Sequence, residues 1–329
     1  MKKGIIRIIS VLSITAVLAT GCSSKSKETA SKDTNGELTK VTLGTYNGTC
    51  EAPLYAAVEN GTFKKYGLDV ELVNINSETL KEGLASGKID GAQISPGMFK
   101  AIEQGLNIKL TNGVHTGCIQ GVVSKDSKIQ SVKDLKGKKI GIDAIGGVPQ
   151  VLLTLELGKY NIDAKTDVEW RVYPQANLQQ ALEKGDIDAF AAWDPYGAMA
   201  VSSGKARKIF GNNNSESGAQ DSYCCFLGVN GKLAQEKPEI AKAIDDAWKE
   251  ANEWVQHNHE DAGKMAVDKK YVSSGDEVAN SKLIGDYKFV SDKEKAKLDF
   301  KNTLDAMKKQ GILDQATDVN ELVEDTFIK

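Results

Sequence analysis

Arginine is nearly missing from this chain. Of 42 basic residues only Arg7, Arg171 and Arg207 are arginine, and the rest are lysine. Arginine is the usual planar fork for carboxylate, sulfonate and phosphate oxygens, so an oxyanion ligand lacks its ordinary clamp here. The net charge of −3 gives no footprint for nucleic acid or an anionic membrane as partner. No nucleophile elbow, Walker loop, H-E-x-x-H pair or G-x-G-x-x-G turn occurs, which argues against the common catalytic designs. Histidine is scarce as well, with only His115, His257 and His259. The last two are expected in one helix, two apart, where they face different sides and chelate poorly. Arg171 is expected in mid-strand and Arg207 near a surface helix end, so neither reads as an anion clamp.

What is present is a globular composition, 40% apolar and 26% charged over 329 residues, enough for about two domains. The chain opens with a targeting segment. Lys2, Lys3 and Arg7 precede a short apolar run, Ile8–Ala19, that is too short for a transmembrane helix. Ala19-Thr-Gly-Cys22 closes it and resembles a bacterial lipobox, in which the cysteine is acylated and becomes the first mature residue. The usual leucine three places before the cysteine is Ala19 here, with Leu18 one place earlier. Residues 23–38 are polar, without apolar periodicity, and read as a flexible tether.

Four further cysteines lie far apart in sequence: Cys50, Cys118, Cys224 and Cys225. Each ends an apolar run in a turn-like context. Open α/β sheets bind ligands in the crevice beyond their strand ends, so three thiol-bearing loops are expected at one site between two lobes. Three outcomes are open. Extracytoplasmic thiols commonly pair as disulfides; buried cysteines also serve as inert small apolar groups. Thiolates otherwise select soft metals or iron–sulfur species. In that third case the ligand is a transported metal or iron–sulfur species on Cys50, Cys118, Cys224 and Cys225, its shell completed as sulfurs from both lobe edges close. No C-x₂-C knuckle supports a zinc finger. His115 is a fifth donor or a plain structural histidine.

Element signals give an α/β chain. Val41–Tyr46 reads as a strand, and Pro53 opens a helix that Asn60-Gly61 ends. Gly87-Lys-Ile-Asp90 follows an amphipathic helix, and Gly185-Asp-Ile-Asp188 follows another; each leads into a buried strand ending before a proline. A supersecondary unit used twice implies two lobes built alike. Cys225–Val229 reads as a strand returning the chain to the first lobe, and from Pro238 onward the apolar spacing is helical. The expected division is residues 1–22 as signal and lipobox, 23–38 as tether, 39–120 with 225–329 as lobe I, and 121–224 as lobe II.

Ala52–Leu72 resembles the opening signature of solute-binding proteins for nitrate, sulfonate, taurine and thiamine-precursor ABC importers, and Ser131–Ile142 resembles the same family's entry into its second lobe. The resemblance implies a type 2 periplasmic-binding-protein fold, two α/β lobes hinged about a ligand cleft. It also implies a monomeric, non-enzymatic receptor outside the cytoplasm, held to the membrane by its lipid anchor and serving permease and ATPase subunits. By position it places Tyr46, Asn47, Cys50, Ser95, His115, Cys118, Gln120, Gly146, Gly147, Trp193 and Asp194 at the ligand. Gly146-Gly147 before a helix start offers free N–H groups to an anion, or is a plain tight turn. The rival ligands are an aliphatic sulfonate, taurine or nitrate, and a pyrimidine stacking on Tyr46, Trp193 or Tyr196. Tyr223-Cys-Cys-Phe226 resembles part of a cysteine-rich motif in eukaryotic pyrimidine-precursor synthases, which implies iron and enzymatic synthesis as a further alternative.

Overall fold

The computed structural model describes residues 37–212 and 222–328. The signal run, Cys22 and the tether up to Gly36 lie outside the described residues. Ten strands appear in chain order: β1 Thr39–Thr45, β2 Leu68–Asn74, β3 Gly91–Ile94, β4 Ile108–Thr116, β5 Ile119–Ser124, β6 Lys139–Ile142, β7 Glu169–Val172, β8 Ala189–Trp193, β9 Ala206–Gly211 and β10 Tyr223–Asn230. They form two five-stranded sheets, β2-β1-β3-β10-β4 and β7-β6-β8-β5-β9. Each sheet has three parallel strands followed by one strand antiparallel to both neighbours. In each, that antiparallel strand comes from where the chain crosses between lobes. It enters the second sheet through β5 and returns to the first through β10, which makes two crossings.

The twice-used Gly-x-Ile-Asp unit has one structural meaning in both lobes. Gly87 (φ 72°) and Gly185 (φ 77°) end the helices Ser77–Ser86 and Gln175–Lys184 in the left-handed conformation that glycine adopts without cost. Asp90 then clamps β1: its carboxylate accepts from Thr42 N at 2.8 Å while its own N–H donates to Thr42 O at 2.8 Å. Asp188 repeats both bonds on Lys139 of β6, again at 2.8 Å each. The aspartate thus supplies the last rung that joins each helix-strand turn to the neighbouring parallel strand.

The long helix Pro238–His257 buries Ala241, Ile244, Ala247, Trp248, Ala251 and Val255, a three-to-four-residue stripe facing the core. Phe99, Phe226 and Phe300 fill the other face of the first sheet, with the Phe99 and Phe300 rings edge-to-face at 4.5 Å. Two expectations are corrected. His257 ends one helix and His259 begins the next, because Asn258 adopts a non-helical conformation between them. Arg207 lies in β9, not at a helix end; its guanidinium donates to the carbonyls of Ser127 and Ile129. Among the described residues no helix is long and apolar enough to cross a membrane.

Candidate functional site

The strand ends of both sheets face a common cleft of about 820 Å³. At the end of β1 the backbone reverses through Asn47, whose φ of 58° is tolerated by asparagine better than by most residues. The reversal folds Glu51 back beneath the turn. Its carboxylate accepts from Tyr46 N (3.0 Å), Gly48 N (3.0 Å), Thr45 Oγ1 (2.9 Å) and Tyr55 OH (3.1 Å). Even so, desolvation, followed by the field of the Cys50 thiolate, pushes its pKa up to about 7.

Two more carboxyl groups stand at the ends of β6 and β8. Asp143 accepts from Trp193 Nε1 (3.2 Å) and Gln175 Nε2 (3.4 Å) through Oδ2, while Oδ1 is buried with no hydrogen bond of normal geometry. Burial raises its pKa. Asp194 accepts from Gln120 Nε2 and Tyr287 OH, both at 2.7 Å, and burial pushes it up to about 7. Glu51, Asp143 and Asp194 all line the cleft. The Tyr46 and Trp193 rings stack at 5.7 Å and give it an aromatic wall.

Of the residues expected at the ligand, Tyr46, Asn47, Cys50, Gly146, Gly147, Trp193 and Asp194 line this cleft. Ser95, His115, Cys118, Gln120, Cys224 and Cys225 are not on its wall; Gln120 instead holds Asp194 in place. The N–H groups of Gly146 and Gly147 are not free for an anion. Gly146 donates to Gln150 Oε1 at 2.6 Å and Gly147 to Ala144 O at 3.1 Å, because the turn closes on itself before the helix Val148–Lys159 begins. Glu51, Asp143 and Gln175 went unremarked in sequence. Asp194 came from the family resemblance; Asp143, directly after the strand Ile140-Gly-Ile, is the position that strand-end logic offers, and Glu51 carried no signal apart from its neighbour Cys50.

The four cysteines do meet, three of them beneath the cleft floor and Cys50 at its border. Cys50, Cys118, Cys224 and Cys225 are buried thiols, none in a disulfide. Cys118 Sγ lies 3.4 Å from Cys224 Sγ, and Cys224 Sγ lies 3.7 Å from Cys225 Sγ and 3.6 Å from His115 Nδ1. Gln93 Nε2 touches Cys50 Sγ (3.4 Å) and His115 Nε2 (3.2 Å). Adjacent residues of a flat strand point to opposite faces. Register shifts on both sides of Cys225, where β10 pairs with β4, bring its thiol to the same side as that of Cys224.

Sulfurs from opposite lobes closing on a cargo are therefore not what the fold provides. Cys50 follows β1, Cys224 and Cys225 belong to β10 of the same sheet, and Cys118 sits on the crossing between β4 and β5. Only Cys50 borders the cleft, while Cys224 borders a second cavity of about 370 Å³ shared with Phe210 and Asn212. Hydrogen bonds from Cys118 and Cys225 hold the Cys50 thiol well below its usual range. Burial opposes ionisation of Cys224, but the Cys118 and Cys225 thiols and His115 outweigh it and lower that pKa too. Burial also opposes the charge on His115, yet the neighbouring thiolates raise its pKa well above the ordinary imidazole value. Burial instead pushes the Cys118 and Cys225 thiols well above their usual range.

A family model described as the NMT1-like family matches residues 34–267. The chain is 27% identical over 353 aligned positions to a putative aliphatic sulfonates-binding protein of Bacillus subtilis (strain 168), covering 100% of this chain and 96% of that protein. It is 27% identical over 280 positions to the nitrate/nitrite binding protein NrtA of Nostoc sp. (strain PCC 7120 / SAG 25.82 / UTEX 2576), covering 76% of this chain but only 62% of the relative. The periplasmic nitrate-binding protein NrtA from Synechocystis PCC 6803 superposes with a TM-score of 0.74 at 20% identity, over 88% of this chain and 86% of that structure. The fold is accordingly the two-lobed periplasmic-binding-protein fold, with the cleft between its α/β lobes. Because the family match spans well over half of the sequence, the chain belongs to the NMT1-like family.

Proposed function

We propose that this chain is the substrate-binding component of an ABC importer, working outside the cytoplasm and handing a small ligand to a permease with its ATPase subunits. The fold, the relatives named for sulfonate and nitrate binding, and a cleft between two hinged lobes support that role. The lipobox resemblance at Cys22 adds a lipid anchor to the proposal.

One observation supports a ligand class: buried carboxyl groups line the cleft floor. Glu51, Asp143 and Asp194 face it, with Lys81, Lys100 and Lys270 around it; among the described residues no arginine lines it, and the N–H groups of the Gly146-Gly147 turn are already engaged. Arg171 pairs with Glu169 and Arg207 with backbone carbonyls, both away from the cleft. A ligand that suits this floor carries N–H donors or a positive charge, and a planar ring to lie against Tyr46 and Trp193. An amino-substituted pyrimidine has both features. A sulfonate or nitrate is the second reading, favoured by what the relatives are named for; it would depend on Lys81, Lys100 or Lys270 around the cleft.

Thermal-shift and calorimetric titration of the mature protein with an aminopyrimidine set, taurine, an alkanesulfonate and nitrate decides between these. The expected result is a saturable stabilisation by an aminopyrimidine, weakened at least tenfold by Asp143→Asn. Saturable binding of a sulfonate or nitrate that Asp143→Asn strengthens would overturn the acidic-floor reading and leave the receptor role standing.

A further inference from the structure

We propose that His115, Cys118, Cys224 and Cys225 form a resident binding site for one soft or borderline metal ion, of zinc type, at the junction of the two inter-lobe crossings. Their four ligand atoms lie within 4.8 Å of one another, and all four residues are at most 4% exposed. A tetrahedral zinc site with metal–sulfur bonds of about 2.3 Å has sulfur–sulfur edges of about 3.8 Å and slightly shorter sulfur–nitrogen edges. The separations of 3.4, 3.7 and 3.6 Å around Cys224 are close to those edges. Small side-chain adjustments of the remaining pairs bring the set to coordination distance.

The composition points the same way. Three thiolates and one imidazole make a closed tetrahedral donor set, the kind that holds structural zinc, and sulfur donors select against hard cations such as magnesium. The imidazole is already oriented. The Gln93 amide meets Nε2 at 3.2 Å; turned so that its otherwise unpartnered Oε1 accepts from Nε2–H, it leaves the lone pair of Nδ1, 3.6 Å from Cys224 Sγ and 3.3 Å from Thr116 O, for the metal, and such a second contact is how metal-binding histidines are held. The register shifts at Cys225 provide what a flat strand denies, two neighbouring thiols on one side. Cys50 lies beside these four rather than among them, between the site and the cleft. Loading the site releases the thiol protons to solvent.

Burial makes the ion a resident rather than a cargo, since no member of the donor set borders the cleft. Cys118 belongs to the first crossing; Cys224 and Cys225 begin the strand that follows the second. An ion there ties both crossings together at the point where the lobes hinge. That coupling to lobe closure rests on the receptor reading; the site itself does not.

The test uses the mature chain, reduced, stripped with chelator and titrated anaerobically with Co²⁺ and then Zn²⁺. The expected result is one Co²⁺ per chain with intense sulfur-to-metal charge-transfer and tetrahedral ligand-field bands, displaced by one equivalent of Zn²⁺. Cys118→Ser and Cys225→Ser should each abolish the bands, with far-UV circular dichroism unchanged, while Cys50→Ser keeps them. His115→Gln should keep sulfur charge transfer but shift the ligand-field bands. An octahedral cobalt spectrum, a Cys118–Cys224 disulfide in protein as first isolated, or bands that survive both serine changes would overturn the site. Release of the metal on adding the cleft ligand would overturn its residency. Cleft-ligand binding without metal bands sinks this inference alone, and metal bands with no cleft ligand sink the receptor reading alone.

Discussion

Asp194 and Glu51 are carboxyls held where their charge is poorly solvated, and each has a pKa near 7 against ordinary values of 3.8 and 4.5. Both bind protons more tightly in the folded chain than in the unfolded one. Stability from this source is therefore full below the unfolded pKa values and is lost as pH rises toward about 7. At about 1.4 kcal/mol per unit, each group accounts for roughly 3–4 kcal/mol across that window. The thermal midpoint of ligand-free protein should fall between pH 5 and pH 7.5. Asp194→Asn should make the fall shallower, because Gln120 can turn its amide to pair with the asparagine while Tyr287 keeps an acceptor. An unchanged slope would show that Asp194 titrates normally. At this scale Asp194 and Trp193 were legible through the family resemblance, which places both at the cleft, where they lie. The sequence was silent on Glu51, whose burial follows from the reversal at Asn47.

At the scale of elements, the repeated Gly-x-Ile-Asp unit could be read directly, since a helix stop, a strand start and a proline punctuate it at fixed spacing. Its aspartate was recognisable in sequence but its partner was not, because Thr42 and Lys139 lie 48 and 49 residues away. Asp90→Ala and Asp188→Ala should both destabilise the fold in urea melts. The bond at Asp90 is part-buried and that at Asp188 exposed, so about 1–2 kcal/mol is expected for the first and under about 1 kcal/mol for the second. Equal costs would mean that burial does not set the strength of the clamp. The bulge in β10 was the least legible element. Residues that read as a plain strand end hold two convergent thiols only because β4 imposes a shifted register.

At the scale of the molecule, the lobes touch on both sides of the cleft: Ser273 donates to Tyr196 OH, and Val151 packs into the cluster of Phe99 and Phe300. Tyr287 donates to Asp194, Tyr46 stacks on Trp193, and the turn at Gly97 sits on the start of the helix Val148–Lys159. A Cβ at Gly97 would stand 3.0 Å from Val148 N and 3.2 Å from Gly146 O, backbone atoms that cannot yield without moving the helix. Gly97→Val should hold the lobes apart. Affinity for the cleft ligand is expected to fall at least tenfold, about 1.4 kcal/mol, while the unliganded melting temperature changes little and small-angle scattering shows a larger radius. Unaltered affinity in calorimetry would remove Gly97 from the closing surface.

By itself the sequence determined the α/β class, the doubled unit, the receptor family and the gathering of the thiols at one place. Periodicity, caps, turn residues and strand-end logic are local, and they survive reading one residue at a time. Tertiary structure alone decided that three of the four thiols lie behind the cleft wall instead of in it, and that Glu51 and Asp143 join Asp194 along the cleft. Those outcomes depend on which strands pair, in what register, and on what water can still reach, and none of these is a property of neighbouring residues.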